Sequence, residues 1–128
     1  MVKMIVCLRR LPHLSREEFQ RYWREVHGPL VAKHAEALRM RRYIQAHTVP
    51  GPLLEALQRR RGFGEPFDGV AEVWFDSLED ISAPMQTPEG REAMRQIMED
   101  EKNFLDVARS VAIITEEHSI LEGTEAAK

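Results

Sequence analysis

Apolar residues run without polar alternation through Met4-Ile5-Val6-Cys7-Leu8, so the chain opens with a short predicted strand, Val2 to Leu8, covered on both faces. Pro12 ends it. Ser15 followed three residues later by Glu18 makes a capping box that starts a helix at Arg16. In that helix Phe19, Tyr22, Trp23 and Val26 fall on one stripe, with His27 at its edge, and Gly28-Pro29 forces a kink or a stop because proline lacks the N–H and crowds the preceding turn. Leu30 to Leu38 reads as a further helical piece. Tyr43 to Val49 alternates as a second strand, with Tyr43, Gln45, His47 and Val49 on one face and Ile44, Ala46 and Thr48 on the other.

Pro50-Gly51-Pro52 closes that strand, and Leu53 to Arg61 is a short amphipathic helix whose three terminal arginines suit the negative end of its dipole. Residues 62–69 form a loop with two phenylalanines and three glycines, suited either to a cover over a pocket or to an ordinary connection. Val70 to Phe75 is the third strand, placing Glu72 beside Trp74 on one face. Thr87 caps a second main helix beginning at Pro88, in which Met94, Ile97, Met98 and Leu105 follow helical spacing while Glu99, Asp100 and Glu101 read as solvated. Ser110 to Thr115 is a fourth, β-branched strand, and residues 122–128 read as a frayed tail.

The order strand, helix, strand, strand, helix, strand is the split βαβ plan: an α+β fold with an antiparallel sheet and both helices on one face. A sheet with one bare face, carrying Tyr43, Gln45, His47, Glu72 and Trp74, would expose aromatic surface that soluble monomers avoid. The pattern therefore predicts a homodimer in which two sheets face each other around a barrel-like cavity holding these side chains.

The 128 residues form one domain, with residues 50–67 an insertion or lid. Eighteen Lys plus Arg against 21 Asp plus Glu give a formal net charge of −3, so nucleic acid and anionic lipid are disfavoured partners. The apolar run before Arg9 and Arg10 is too short for a membrane span or a signal-peptide core, which points to a cytoplasmic setting. Cys7 reads as a small buried thiol. His13, His34 and His118 show no metal-ligand spacing with Cys7, so no metal is expected. No glycine-rich phosphate loop and no nucleophile elbow occurs.

Three side chains are candidates for chemistry. His27 is held at the helix break and titrates near neutral pH, as a general acid or base would; alternatively it hydrogen-bonds the carbonyl freed by Pro29 and holds the corner. His47, on the same strand face as Tyr43, is a second proton carrier or simply an exposed strand histidine. Tyr43 is placed to donate to a developing enolate oxygen, or only to pack. Glu72 needs a cation, a histidine or a substrate group as partner if it faces the cavity, or it pairs across the dimer with an arginine of the Arg39-Met40-Arg41-Arg42 run, and Trp23, Trp74 and Phe75 read as core and cavity wall.

Five segments in order, Ser15-Arg16-Glu17-Glu18-Phe19, Tyr22-Trp23, His27-Gly28-Pro29-Leu30, Tyr43-Ile44-Gln45-Ala46-His47 and Asp68-Gly69-Val70-Ala71-Glu72-Val73-Trp74-Phe75, resemble the EthD family of the dimeric α+β barrel superfamily. The resemblance spans roughly residues 2 to 118. It implies a ferredoxin-like fold, a dimer built sheet against sheet, and an activity like that of muconolactone isomerases and polyketide cyclases. These are lyase or isomerase reactions that move protons beside a carbonyl without an organic cofactor. On that basis the catalytic set is His27, His47 and Tyr43; Gln45 joins Tyr43 in holding the oxygen, and Trp23, Phe67, Glu72 and Trp74 contact a small hydrophobic substrate. The alternative is a non-catalytic accessory protein that binds a small molecule or haem.

Overall fold

The β-branched run at the N-terminus forms β1 (Val2–Leu8), and its placement in the sheet explains the absence of polar alternation. In the computed structural model, which describes residues 1–123, β1 is followed by α1 (Arg16–Tyr22), a π-helical turn (Trp23–His27), α2 (Gly28–Lys33), β2 (Arg42–His47) and α3 (Pro52–Arg61). Then come β3 (Gly69–Phe75), α4 (Leu78–Ser82), α5 (Pro88–Glu101) and β4 (Val111–Thr115). The strands form one antiparallel sheet in the order β2-β3-β1-β4, so β1 is central, as its composition predicts. Of the tail expected to fray, residues 124–128 lie outside the described residues.

Local chemistry sets the helix starts. Ser15 Oγ accepts from the Glu18 amide at 3.0 Å while Glu18 accepts from the Ser15 amide at 2.9 Å, closing the capping box at the predicted position. Thr87 caps α5 through the Gly90 amide at 3.0 Å. Composition alone did not reveal α4 or the 3-10 turns Ala83–Gln86 and Val107–Arg109. They are single turns whose capping signals carry no apolar period.

One sheet face is covered by helices. Ala71, Val73 and Phe75 are buried there, and Leu8, Ala71, Phe19, Trp23, Phe104 and Leu105 form one core cluster. Val31, Leu38, Ala93 and Ile97 form a second between α2 and α5. Buried Asp68, at the start of β3, ties the layers together: it accepts from the Arg10 amide at 2.8 Å, from the Arg10 guanidinium, and from Arg16 Nε at 2.9 Å. Burial pushes its carboxyl up, but these donors outweigh burial and hold it below the usual carboxylate range.

The register corrects the expected common face. Tyr43, Gln45 and His47 lie opposite Val73, Ala71 and Gly69, all on the helix-covered side, whereas Glu72 and Trp74 lie opposite Ile44 and Arg42 on the bare side. Strand alternation is strict only within a strand; the face it presents depends on pairing with the neighbour, which periodicity does not encode. The bare face carries mainly aliphatic residues: Ile5, Cys7, Ile44, Ala46, Val70, Val111 and Ile113. Cys7 is there, partly exposed, rather than in the core.

The segment 50–67 contains α3, which has no buried residue, and Gly62 ends it at φ +68, a left-handed conformation that favours glycine. Among the described residues no helix is long and apolar enough to cross a membrane.

Candidate functional site

The helix carrying the aromatic stripe does not stop at Gly28-Pro29. It widens into the π-turn, in which the Gly28 amide donates five residues back to the Trp23 carbonyl, and then continues as α2 with Pro29 in its first turn, where a missing N–H costs nothing. The wider turn rotates Val26 off the stripe, leaving it 46 % exposed rather than buried as its spacing predicts. It carries Trp23 onto the sheet and His27 into the seam with α5, where they are 0 % and 5 % exposed.

In that seam His27 Nδ1 sits 2.8 Å from Asp100 Oδ2, and the ring packs on Phe104 with centroids 4.7 Å apart. Asp100 is itself fixed: its other oxygen accepts from Tyr22 Oη at 2.5 Å and from Asn103 Nδ2 at 3.3 Å. Burial pushes the Asp100 carboxyl up, but the donors Tyr22, His27 and Asn103 outweigh it, and the group stays below the usual carboxylate range. An ionised Asp100 accepts only, so Nδ1 carries the proton and Nε2 is the basic nitrogen. Burial holds the His27 imidazole below its ordinary pKa although Asp100 pulls the other way, so the ring is neutral at pH 7. A buried, oriented, neutral imidazole backed by a carboxylate is the arrangement of a general base.

Opposite this seam, β2 presents a second polar chain to the π-turn. His47 Nε2 donates to Gln45 Oε1 at 2.8 Å, and Gln45 Nε2 donates to Tyr43 Oη at 2.8 Å and to the Trp23 carbonyl at 2.9 Å. The His47 ring lies on the Trp23 indole at 4.4 Å between centroids. The Gln45 amide is thus engaged at both ends, and its role in this structure is to aim its neighbours. Because the Tyr43 oxygen accepts from Gln45, the phenol hydrogen is left to donate elsewhere. Burial raises the Tyr43 pKa, while Gln45 and the nearby Trp23 indole N–H work against it. That indole N–H is fully buried and meets no acceptor in hydrogen-bond geometry among the described residues. Burial, with Arg24, lowers the His47 pKa.

The other residues singled out from the sequence lie elsewhere. Trp74 and Glu72 are on the bare sheet face, where Lys3 pairs with Glu72 at 3.4 Å and the Trp74 ring lies between Arg42 and Lys3. Within one chain the cation on Glu72 is Lys3. Phe67 packs under the Arg9 guanidinium at 4.0 Å, at the far end of β1.

Two residues escaped the sequence reading. Asp100 and Glu101, expected to be solvated with Glu99, are turned inward: Asp100 to His27, and Glu101 into a cleft of about 520 Å³ along α5 lined by Met85, Met94, Met98 and Val107. The signal was present in the helical phase, since 100 and 101 fall three and four residues after buried Ile97. Three consecutive acids obscured it.

A family model described as the EthD domain matches residues 11–108, and the chain belongs to the EthD family. Solved structures it resembles include an ethyl tert-butyl ether D (EthD) family protein from Bacillus halodurans, 23 % identical, covering 92 % of this chain and 99 % of that one at a TM-score of 0.60. An EthD-like protein from Ralstonia eutropha is 19 % identical, with 97 % and 96 % of the two chains covered and a TM-score of 0.59. A dimeric protein of unknown function and ferredoxin-like fold from Bacteroides fragilis is 16 % identical, with 91 % and 95 % covered and a TM-score of 0.57. The likeness to these structures establishes the ferredoxin-like α+β fold.

Proposed function

From a member of the EthD family with a buried, carboxylate-backed imidazole, we propose a cofactor-independent lyase or isomerase that moves a proton beside the carbonyl of a small, hydrophobic, polyketide-like or aromatic compound. The observation that carries this reading is the His27–Asp100 contact of 2.8 Å inside the seam between the π-turn and α5. His27 Nε2 takes the proton from the carbon next to the carbonyl, and the C–H electron pair moves onto oxygen. Tyr43, with its oxygen occupied by Gln45, donates its phenol hydrogen to the enolate that forms, and His47 serves as the second proton carrier. Returning the proton to a different carbon completes an isomerisation; expelling a leaving group completes an elimination. Asp100 holds the imidazole in one tautomer and stabilises the imidazolium while it exists. The working form is a homodimer joined through the bare sheet face.

Deuterium uptake next to the carbonyl of 2-tetralone, followed by proton NMR in D₂O, tests the proposal without knowledge of the physiological substrate. The protein is expected to accelerate uptake, and His27→Ala to remove at least about a hundredfold of that acceleration. Equal rates for the two proteins would refute the role of His27.

A further inference from the structure

The cleft along α5 has an unusual floor. Met85, Met94, Met98 and Val107 give it a flexible, apolar wall, with Met98 and Val107 56 % and 63 % exposed, and thioether side chains of this kind adapt to the shape of an apolar ligand. Three cations, Arg91, Arg95 and Lys102, stand at the rim, but each is engaged elsewhere: Arg91 with the Met85 carbonyl at 3.2 Å, Arg95 with Glu92 at 2.7 Å, and Lys102 with Glu99 at 3.0 Å. None reaches Glu101. Among the described residues the Glu101 carboxyl takes no hydrogen bond and no ion pair, although it is turned into the cleft and only partly exposed.

A carboxyl group partly withdrawn from water and left without a protein partner is less well solvated than a free one, and such a site gains when a ligand arrives to pair with it. Tyr43, Met85 and Met94 pack against the same buried cluster, and the Glu101 charge is close enough to act on the Tyr43 phenol. We propose that Glu101 is the polar anchor of this cleft: an uncharged, largely apolar carbonyl compound lies along Met85, Met94 and Met98 with its oxygen at the Glu101 carboxyl. This assignment deepens the proton-transfer reading and rests on its ligand class. Burial first, and then the adjacent Asp100, raise the Glu101 pKa, which favours the protonated form able to donate to a carbonyl oxygen. In its ionised form the same group repels an anionic ligand, so the cleft selects against carboxylates.

The test is a titration of the full chain carrying ¹³C-methyl methionine, with 2-acetonaphthone as the uncharged probe and 2-naphthoate as its anionic counterpart. The methyl signals of Met85, Met94 and Met98 are expected to shift with the ketone while that of Met1 does not, and the ketone to bind about tenfold more tightly than the carboxylate. Glu101→Gln keeps a hydrogen-bond donor and removes the charge, so the preference is expected to collapse; Glu101→Leu is expected to weaken the ketone by about tenfold. Glu89→Gln, in the exposed first turn of α5 and outside the cleft lining, leaves both affinities unchanged. An unaltered preference in Glu101→Gln, or cleft methyl signals that ignore the ketone, would overturn the assignment. Repeating the titration in His27→Ala separates the two proposals. If 2-tetralone exchange is absent but the methyl shifts and the Glu101→Gln effect persist, the catalytic reading fails alone. If exchange depends on His27 while the cleft signals stay still, Glu101 fails alone.

Discussion

Asp100 decides what His27 can do. Its carboxylate accepts from Nδ1, so replacing it with asparagine leaves the shape nearly intact while removing the charge that favours the imidazolium and leaving one amide oxygen where Tyr22 Oη and His27 Nδ1 each had an acceptor, so the tautomer is no longer fixed. His27 already titrates below the ordinary imidazole value of about 6.5 because burial outweighs Asp100. The base form is therefore present across neutral pH, and any activity that needs it falls as pH drops through the His27 pKa. In Asp100→Asn the raising influence is gone, so this acid limb is expected to move further toward low pH. The plateau rate is expected to fall on the order of a hundredfold. Histidine ring signals followed by NMR against pH check the first effect and 2-tetralone exchange the second. A His27 titration that moves upward in Asp100→Asn would contradict the account.

The elements show why some of this was legible in the sequence and some was not. The capping box at Ser15 and Glu18, the Thr87 cap and the β-branched runs are local signals, and each element they predict is present near its expected bounds. The break at Gly28-Pro29 is local as well, but its outcome is not: whether the chain stops, kinks or widens depends on what the two flanking turns pack against. Here Trp23 must fill the sheet core and His27 must reach α5, and the π-turn satisfies both. Which side of the sheet Tyr43, Gln45 and His47 share is illegible in the sequence for the same reason, since only pairing with β3 orients β2. Gly69, at the start of β3, shows how closely these parts fit. A Cβ there would lie 2.4 Å from Trp23 Cζ3 and 3.0 Å from the Ala46 carbonyl oxygen, so the strand can approach the indole only as glycine. Gly69→Ala is expected to cost about 1–3 kcal/mol, read as a lower midpoint in urea, and to disturb the His47 ring stacked on the same indole. An unchanged midpoint would show that Trp23 is not wedged between the π-turn and β3.

At the scale of the whole molecule, the two sheet faces divide the work. The helix-covered face holds His27, Tyr43 and His47 within one chain. The bare face holds an aliphatic field in which Ile44, Val111 and Ile113 are 36 %, 49 % and 50 % exposed, bordered by Trp74 under its two cations. A contiguous apolar surface of that kind is stable in water when a second copy covers it. Of the rings expected to drive pairing, Tyr43 and His47 lie on the other face and only Trp74 remains, so the aliphatic residues take most of that role. Ile113→Glu is the sharpest probe, because the side chain is half exposed in a single chain and the substitution leaves the core intact. Light scattering after size exclusion is expected to give a dimer for the wild-type chain and a monomer for the variant. A wild-type monomer at tens of micromolar would end the dimer proposal. Because the proton-transfer groups sit between helices and sheet rather than between two sheets, the monomeric variant is expected to keep its His27-dependent exchange. Loss of exchange on dissociation, with the fold retained by circular dichroism, would mean that the second copy supplies part of the site after all.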